Sequence, residues 1–342
     1  ANNARYLYYS GLLKYKRTFA EVHNIDAMFG INAEKWVTKK VVTAREKFED
    51  AGIYDLNLAT GTQGNGGGKT HNGTYSYIAR LNYNYAEKYM VELMGRRDGN
   101  SKFAPGYRFK SFGSVSLGWA FSEEQFVEFL KPVLSFGKLR LSYGSSGNDV
   151  GLGDYDYVST VSLGTAGFGT IPANQVSSGF GGLISYDRTW EKVSQKNFGI
   201  DLNFFDNRLK ATFDYFIKDN TGMLVNVTYP GVLGGKAPKT NSGHLNVKGW
   251  EFTIGWRDQI KDFSYYANFN IGDTKSLLKE MEGADSYGAG WNAAVNGYPL
   301  NSYFLYRTDG YFKDQAEVDR YYALYGAVSY THLRAHETDQ YL

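Results

Sequence analysis

Cysteine is absent from the 342 residues, and proline occurs only six times. The first absence excludes disulfide staples and thiolate metal sites. The second leaves few of the breakers that punctuate irregular chains. No run approaches the roughly 18 apolar residues that a membrane-crossing helix needs, so no transmembrane helix is expected. Charge of one sign is also scarce: the formal net charge is +2 and no basic block stands out. Nucleic acid is therefore not an expected partner. The opening ANNARYLYYS carries neither the positive start nor the apolar stretch of a secretory signal. What is abundant is glycine (40) and aromatic residues, with 29 Tyr, 22 Phe and 6 Trp. That mixture points to many strands and turns.

Period-two alternation organises the chain. In SYIARLNYNYA, Tyr77, Ala79, Leu81, Tyr83 and Tyr85 alternate with Arg80, Asn82 and Asn84. Phe198, Ile200, Leu202 and Phe204 answer Leu209, Ala211, Phe213, Tyr215 and Ile217 across a turn at Asp206 and Asn207. Trp250, Phe252, Ile254 and Trp256 do the same against Phe263, Tyr265, Ala267, Phe269 and Ile271. The pattern predicts about ten strands, near 4–18, 23–45, 73–85, 89–97, 108–121, 137–145, 193–205, 208–222, 248–257 and 263–273. Tight links at 19–22, 86–88, 206–207 and 258–262 all fall at one end by parity. The link 122–136 belongs to that end too, with a short helix in EEQFVEFLKPV. Long links at 46–72, 146–192, 223–247 and after 273 fall at the other. Short turns at one end and long loops at the other are the layout of an antiparallel transmembrane β-barrel. Trp250 and Trp256, six residues and roughly 20 Å apart on one face, suit two interfacial girdles. A soluble sandwich would also have an aromatic inner face. Strand length and one-sided loops favour the membrane.

Several stretches look like chemistry and are better explained otherwise. GTQGNGGGKT (61–70) ends like a phosphate loop, but Gln63 stands where the motif must open with glycine. A strand pattern follows it instead of a helix, so it is expected to be a mobile surface loop. Asp98 and Gly99 read as a turn, and GTAGFGTI lacks the βαβ context of dinucleotide binding. Glu123 and Glu124 read as a helix cap rather than an acid/base pair. His23, His71 and His244 have no ligand spacing. His332 and His336 have the spacing of a zinc helix but lack the intervening general base. No catalytic residue, metal or cofactor is identified. The loop aromatics Tyr155, Tyr157, Tyr186 and Trp190 are candidates for stacking on sugars, with packing inside the loop as the competing role.

One family gathers these stretches. ARLNYNYAEKYMVELMGRRDGNSKFAPGYRFKSFGSVSLGWAFSEE resembles the barrel core of the SusC/RagA-like TonB-dependent transporters of Bacteroidota outer membranes. GKLRLSYGSSGN, NFFDNRLKATFDYFIKDNTGML, HLNVKGWEFTIGW and NGYPLNSYFLYRTDGYF follow in that family's order. The resemblance covers most of residues 5–320. It implies an outer-membrane importer of glycans or peptides, gated by an N-terminal plug, powered by the TonB complex and lidded by a SusD-like surface lipoprotein. Such transporters have about 22 strands, so about ten correspond to part of a larger barrel. Residues 1–327 are accordingly expected to be a partial barrel within a longer reading frame. The stretch from Val328 to Leu342 breaks the family pattern, and VSYTHLRAHET looks like a translated sequencing adapter. A passive porin or adhesin barrel, or a secreted β-rich carbohydrate-binding module, is the alternative reading.

Overall fold

Aromatic and β-branched side chains pack well on a pleated surface, and every second one falls on the same face. The alternating segments become strands for that reason. The computed structural model describes residues 1–48, 52, 55–168, 173–180, 182–226, 232, 238–281, 286–287, 294–305, 307–325 and 333–336. Its long strands are β1 (Asn2–Phe19), β2 (His23–Arg45), β3 (Gln63–Tyr85), β4 (Tyr89–Asn100), β5 (Phe109–Trp119) and β6 (Leu134–Asn148). After a small hairpin, β7 (Val161–Phe168) and β8 (Ala173–Phe180), come β9 (Glu191–Phe204), β10 (Leu209–Asn226), β11 (Lys239–Ile260) and β12 (Phe263–Glu280). The long strands form a single ten-stranded sheet in the order β1-β2-β3-β4-β5-β6-β9-β10-β11-β12. Every neighbouring pair is antiparallel. Among the described residues β1 and β12 are each paired on one side only.

The expected parity of connections holds. Residues 20–22, 86–88, 205–208 and 261–262 close tight turns, in which Ala86 (φ 51°), Glu87 (φ 59°) and Asn207 (φ 66°) adopt left-handed backbone. Lys88 N–H closes its turn on the Tyr85 carbonyl at 2.9 Å. The fifth link at this end contains two short 3₁₀ turns, Phe121–Glu123 and Gln125–Leu130, instead of one helix. Glu124 between them is extended (φ −87°, ψ 146°) and caps neither turn with its side chain. It accepts instead from the Tyr89 hydroxyl at 2.6 Å and Trp119 Nε1 at 3.3 Å. That corrects the helix-cap expectation: two aromatic donors from β4 and β5 outcompete the turn's own amides.

Two further expectations give way. Residues 63–70 of the glycine-rich run are strand, paired one for one with Thr38 to Arg45 of β2. Their amides are committed to a ladder, so they converge on no phosphate. Glycine suits the close approach there, since a Cβ on Gly67 would sit 2.9 Å from the Lys40 carbonyl oxygen. Asp98 and Gly99 continue β4, opposite Lys110 and Phe109 of β5. Asp98 is buried and paired with Arg96, which gives it a strand role in place of a turn.

Beyond the sheet lie two short strands, β13 (Ser286–Tyr287) and β14 (Ala294–Val295), then β15 (Arg307–Tyr311), α1 (Gln315–Tyr325) and β16 (Leu333–His336). β15 pairs with β16, the described part of the tail. His332 lies outside the described residues, as do Gly169 to Ile171 of GTAGFGTI. The helix α1 was not expected, yet Asp314 accepts from Glu317 N–H (2.8 Å) and Glu317 reaches back to Lys313 N–H (2.8 Å). The D-x-x-E spacing is a helix-start signal in the sequence.

Candidate functional site

Register sorts the side chains of the sheet into two faces. One row on the outward face runs Phe19, His23, Tyr85, Tyr89, Trp119, Leu139, Ile200, Phe213, Phe252 and Ile271 across all ten strands. The next row up includes Ile25, Tyr83, Val91, Leu117, Leu141, Phe198, Tyr215 and Trp250. None of these large apolar side chains is buried, and several are open to the surroundings: Leu117 is 47% exposed and Leu141 51%. A continuous apolar face of this size on a sheet needs a partner phase, and lipid is the one that suits a barrel wall. Register carries this belt without interruption from β1 to β12. β2 and β3 are far longer than the roughly 9–11 residues a tilted spanning strand requires, so both project well past the long-loop side.

The opposite face is polar. Lys16, Asp26, Asn82, Glu92, Ser116, Ser142 and Asn197 lie in one row. They line a hollow of about 530 Å³ together with Lys138 and Arg140. Its best-ordered corner is a charged network. Arg140 grips Asp201 with Nε (2.7 Å) and Nη2 (3.0 Å), and Nη2 also reaches Asp214 at 2.9 Å. Asn197 donates to the second oxygen of Asp214 at 3.0 Å. Gly199 lies between Arg140 and Asp214 in the register, so no side chain separates them. A fork of donors matched to two carboxylates holds three strands in fixed register.

Toward the long-loop end a second hollow, about 460 Å³, is lined by Ser76, Arg96, Asp98, Asn100, Asp149 and Trp190 among others. Beneath the loops Phe103, Phe112, Leu152 and Trp190 form a compact apolar cluster. Polar bonds tie the loop segments to it. Trp190 Nε1 donates to the Arg108 carbonyl at 2.8 Å, and Lys110 Nζ to the Trp190 carbonyl at 2.8 Å. Buried Glu191 accepts from Leu224 N–H and Asn148 Nδ2, each at 2.8 Å.

The four aromatic candidates part company here. Trp190 is only 8% exposed, and its faces are taken by Phe103 and Phe112, at ring separations of 5.2 and 6.1 Å. Its role as a sugar platform is thereby corrected to packing. Tyr155 meets His71 of β3, whose N–H donates to the phenol oxygen at 2.9 Å. Tyr157 accepts from Arg108 Nη2 at 3.4 Å. Arg188 joins the two segments by donating to the Asp156 carbonyl. Tyr186 is 60% exposed and presents the freest ring of the four. The polar network of Arg140, Asp201 and Asp214 was missed in the sequence, where the residues lie far apart and only strand register unites them. Among the described residues no group of three or more His, Asp or Glu side chains is placed to hold a metal.

Known proteins share this architecture. The chain matches the family model "TonB dependent receptor-like, beta-barrel" over residues 2–339. It is 28% identical over 313 residues to TonB-dependent receptor P39 of Formosa agariphila, covering 87% of this chain and 28% of that protein. It is 28% identical over 256 residues to TonB-dependent receptor SusC of Bacteroides thetaiotaomicron, covering 70% of this chain and 25% of SusC. The chain thus spans roughly a quarter of these relatives' length. In fold it superposes on a chain of the RagAB peptide transporter with a TM-score of 0.81 at 23% identity, covering 91% of this chain and 34% of that one. A two-faced antiparallel sheet, its turn parity and the family match lead to one conclusion: the chain belongs to the TonB-dependent receptor-like β-barrel family, with similarity in sequence to SusC and in fold to the RagAB transporter chain.

Proposed function

We propose that this chain forms barrel wall in an outer-membrane importer of oligosaccharides or peptides. In this reading the importer works with a SusD-like surface lipoprotein and draws energy from the TonB complex through a segment N-terminal to the strands described. It performs no chemistry on its cargo. The observation that carries the proposal is the pairing of a continuous apolar outward face with a polar, charged inner face centred on Arg140, Asp201 and Asp214. A porous wall with hydrogen-bonding groups on its inner side suits polar cargo, because each hydroxyl or amide of the cargo can exchange water for a side chain. Tyr186 is the exposed aromatic placed to stack on cargo arriving at the loops. Within the partial barrel of residues 1–327 the ten long strands between Asn2 and Glu280 build this wall, and 328–342 is a non-native tail, although Leu333–His336 pairs with Arg307–Tyr311.

The test is uptake of fluorescent oligosaccharides and of fluorescent peptides by a strain carrying the intact gene. Deleting the gene, or the strain's TonB, should abolish uptake of one cargo class. Uptake that survives removal of TonB would make the protein a passive porin. Extraction of the protein without detergent would make it a soluble β-rich module.

A further inference from the structure

On the outward face, the apolar run of several strands stops at a cation on the long-loop side. On β2 Ala33 is followed by Lys35, on β4 Gly95 by Arg97, on β9 Phe198 by Lys196, and on β11 Trp250 by Lys248. Two of these, Lys196 and Lys248, share a register row with a third lysine, Lys275 of β12. The register row that crosses β6, β9, β10, β11 and β12 reads Tyr143, Lys196, Ile217, Lys248, Lys275. All three lysines are exposed, and Lys248 and Lys275 are direct cross-strand partners. Like charges set opposite each other destabilise a sheet. None of the three forms an ion pair among the described residues. Neither acid in the flanking rows forms an ion pair with them: Asp219 holds His244, Asn246 and Lys279. Asp273 lies one register row below, opposite Trp250.

A second observation sits directly beneath. An apolar groove of about 340 Å³ opens on the outward face, lined by Leu117, Leu141, Phe198, Tyr215 and Ile217, with Lys196 at its rim. Beneath the rest of the row the apolar face continues with Trp250 and Phe252. An apolar face edged by unpaired ammonium groups, with a groove under Lys196 at one end, matches one kind of molecule, with hydrocarbon below and phosphate above. We propose that Lys196, Lys248 and Lys275, with this groove, form a binding site for a phosphate-bearing lipid of the membrane leaflet on the long-loop side. The acyl chains lie on the apolar face below the row, one of them in the groove under Lys196, and the headgroup phosphates offset the repulsion between Lys248 and Lys275. The site rests on the reading that the outward face meets lipid. It adds to that reading a preference for anionic headgroups at one stretch of the perimeter, β9 to β12.

The experiment uses the intact protein that carries this chain, purified in neutral detergent, with phosphatidylglycerol and phosphatidylcholine as probes in native mass spectrometry. Phosphatidylglycerol should bind selectively. The triple variant Lys196→Ala, Lys248→Ala, Lys275→Ala should bind it about 100-fold more weakly, given the usual contribution of a basic residue near an anionic surface. The corresponding triple arginine variant should restore binding. The inner-face variant Lys16→Ala, Lys138→Ala should leave it unchanged. Heat-modifiability on gels checks that each variant is folded. Equal binding of the two lipids, or full binding by the folded triple alanine variant, would overturn the proposal. Displacement of the lipid by an equal concentration of inorganic phosphate would also overturn it, since the site would then be one for phosphate alone. If instead the outward face does not meet lipid at all, the protein will stay in solution without detergent whatever stands at the three lysine positions.

Discussion

At the short-turn end Ala86 and Glu87 reverse the chain in three residues with left-handed backbone and little packing around them. At the long-loop end, residues from 98–112, 148–157 and 185–191 converge on a buried indole and spend their polar groups on one another. The tight turns of the first end are held by local geometry and the ladder of adjacent strands. The second is held by contacts between segments some 80 residues apart, such as Lys110 with Trp190. Left-handed residues other than glycine are concentrated at the turn end, while stability at the other depends on a small tertiary core. Losses should be large and spread between segments at the loop end, and small and local at the turn end.

The greatest effect is expected from Trp190→Ala. Removing a buried indole costs about 3–5 kcal/mol where the site cannot collapse. Hydrogen exchange on the intact protein should show that 98–112 and 185–191 lose protection together while the short turns keep theirs. If 98–112 stayed protected in the variant, the loop base would not be one cooperative unit.

The turn end should respond in the opposite direction. An L-residue in left-handed backbone costs about 1–2 kcal/mol, part of which glycine recovers. Glu87→Gly should therefore stabilise the fold by about 0.5–1 kcal/mol in urea titrations, after the flexibility glycine adds to the unfolded chain. A loss of stability would mean that the Glu87 side chain makes contacts that outweigh its backbone strain.

These two ends also differ in how far the sequence foretold them. All ten sheet strands were legible, because alternation such as Tyr77, Ala79, Leu81, Tyr83, Tyr85 has a single explanation when one face is apolar. Their extensions past the membrane were not. The run from Gln63 to Thr70 is strand only because β2 runs beside it, and glycines have no side chains to alternate. Likewise β11 starts at Lys239, well before the alternation begins at Lys248. The inner network was illegible for a related reason. Arg140, Asp201 and Asp214 meet only through register, and a slip of one residue would send each to the other face. Burial of Trp190 follows from Phe103 and Phe112 on other segments, so its sequence neighbourhood looked like any exposed loop.

The smallest predicted effect is a pH dependence at the turn end. The hydrogen bond from Tyr89, and after it the one from Trp119 Nε1, holds the Glu124 carboxyl below the usual carboxylate range, with Lys88 adding a little against a small opposing effect of burial. A carboxyl depressed in the folded state adds stability that is present above its unfolded value, near pH 4.3, and is lost as pH falls through the folded value. Glu124→Gln should flatten the stability profile in that acid window and lower it by a constant amount near neutrality, where the contribution of the carboxylate is fully present. A profile that keeps its full acid slope would show that the bonds from Tyr89 and Trp119 do not favour the ionised form.

The central claim is that one face of the sheet meets lipid and the other meets water. It is tested most directly by folding the intact protein into liposomes with single arginines placed on each face. At Leu81, Tyr83, Leu202, Phe213 or Phe252, an arginine near mid-membrane should cost about 2–4 kcal/mol. At Asn203 or Thr253, one register position over and turned inward, it should cost little. Equal costs on both faces would contradict the account.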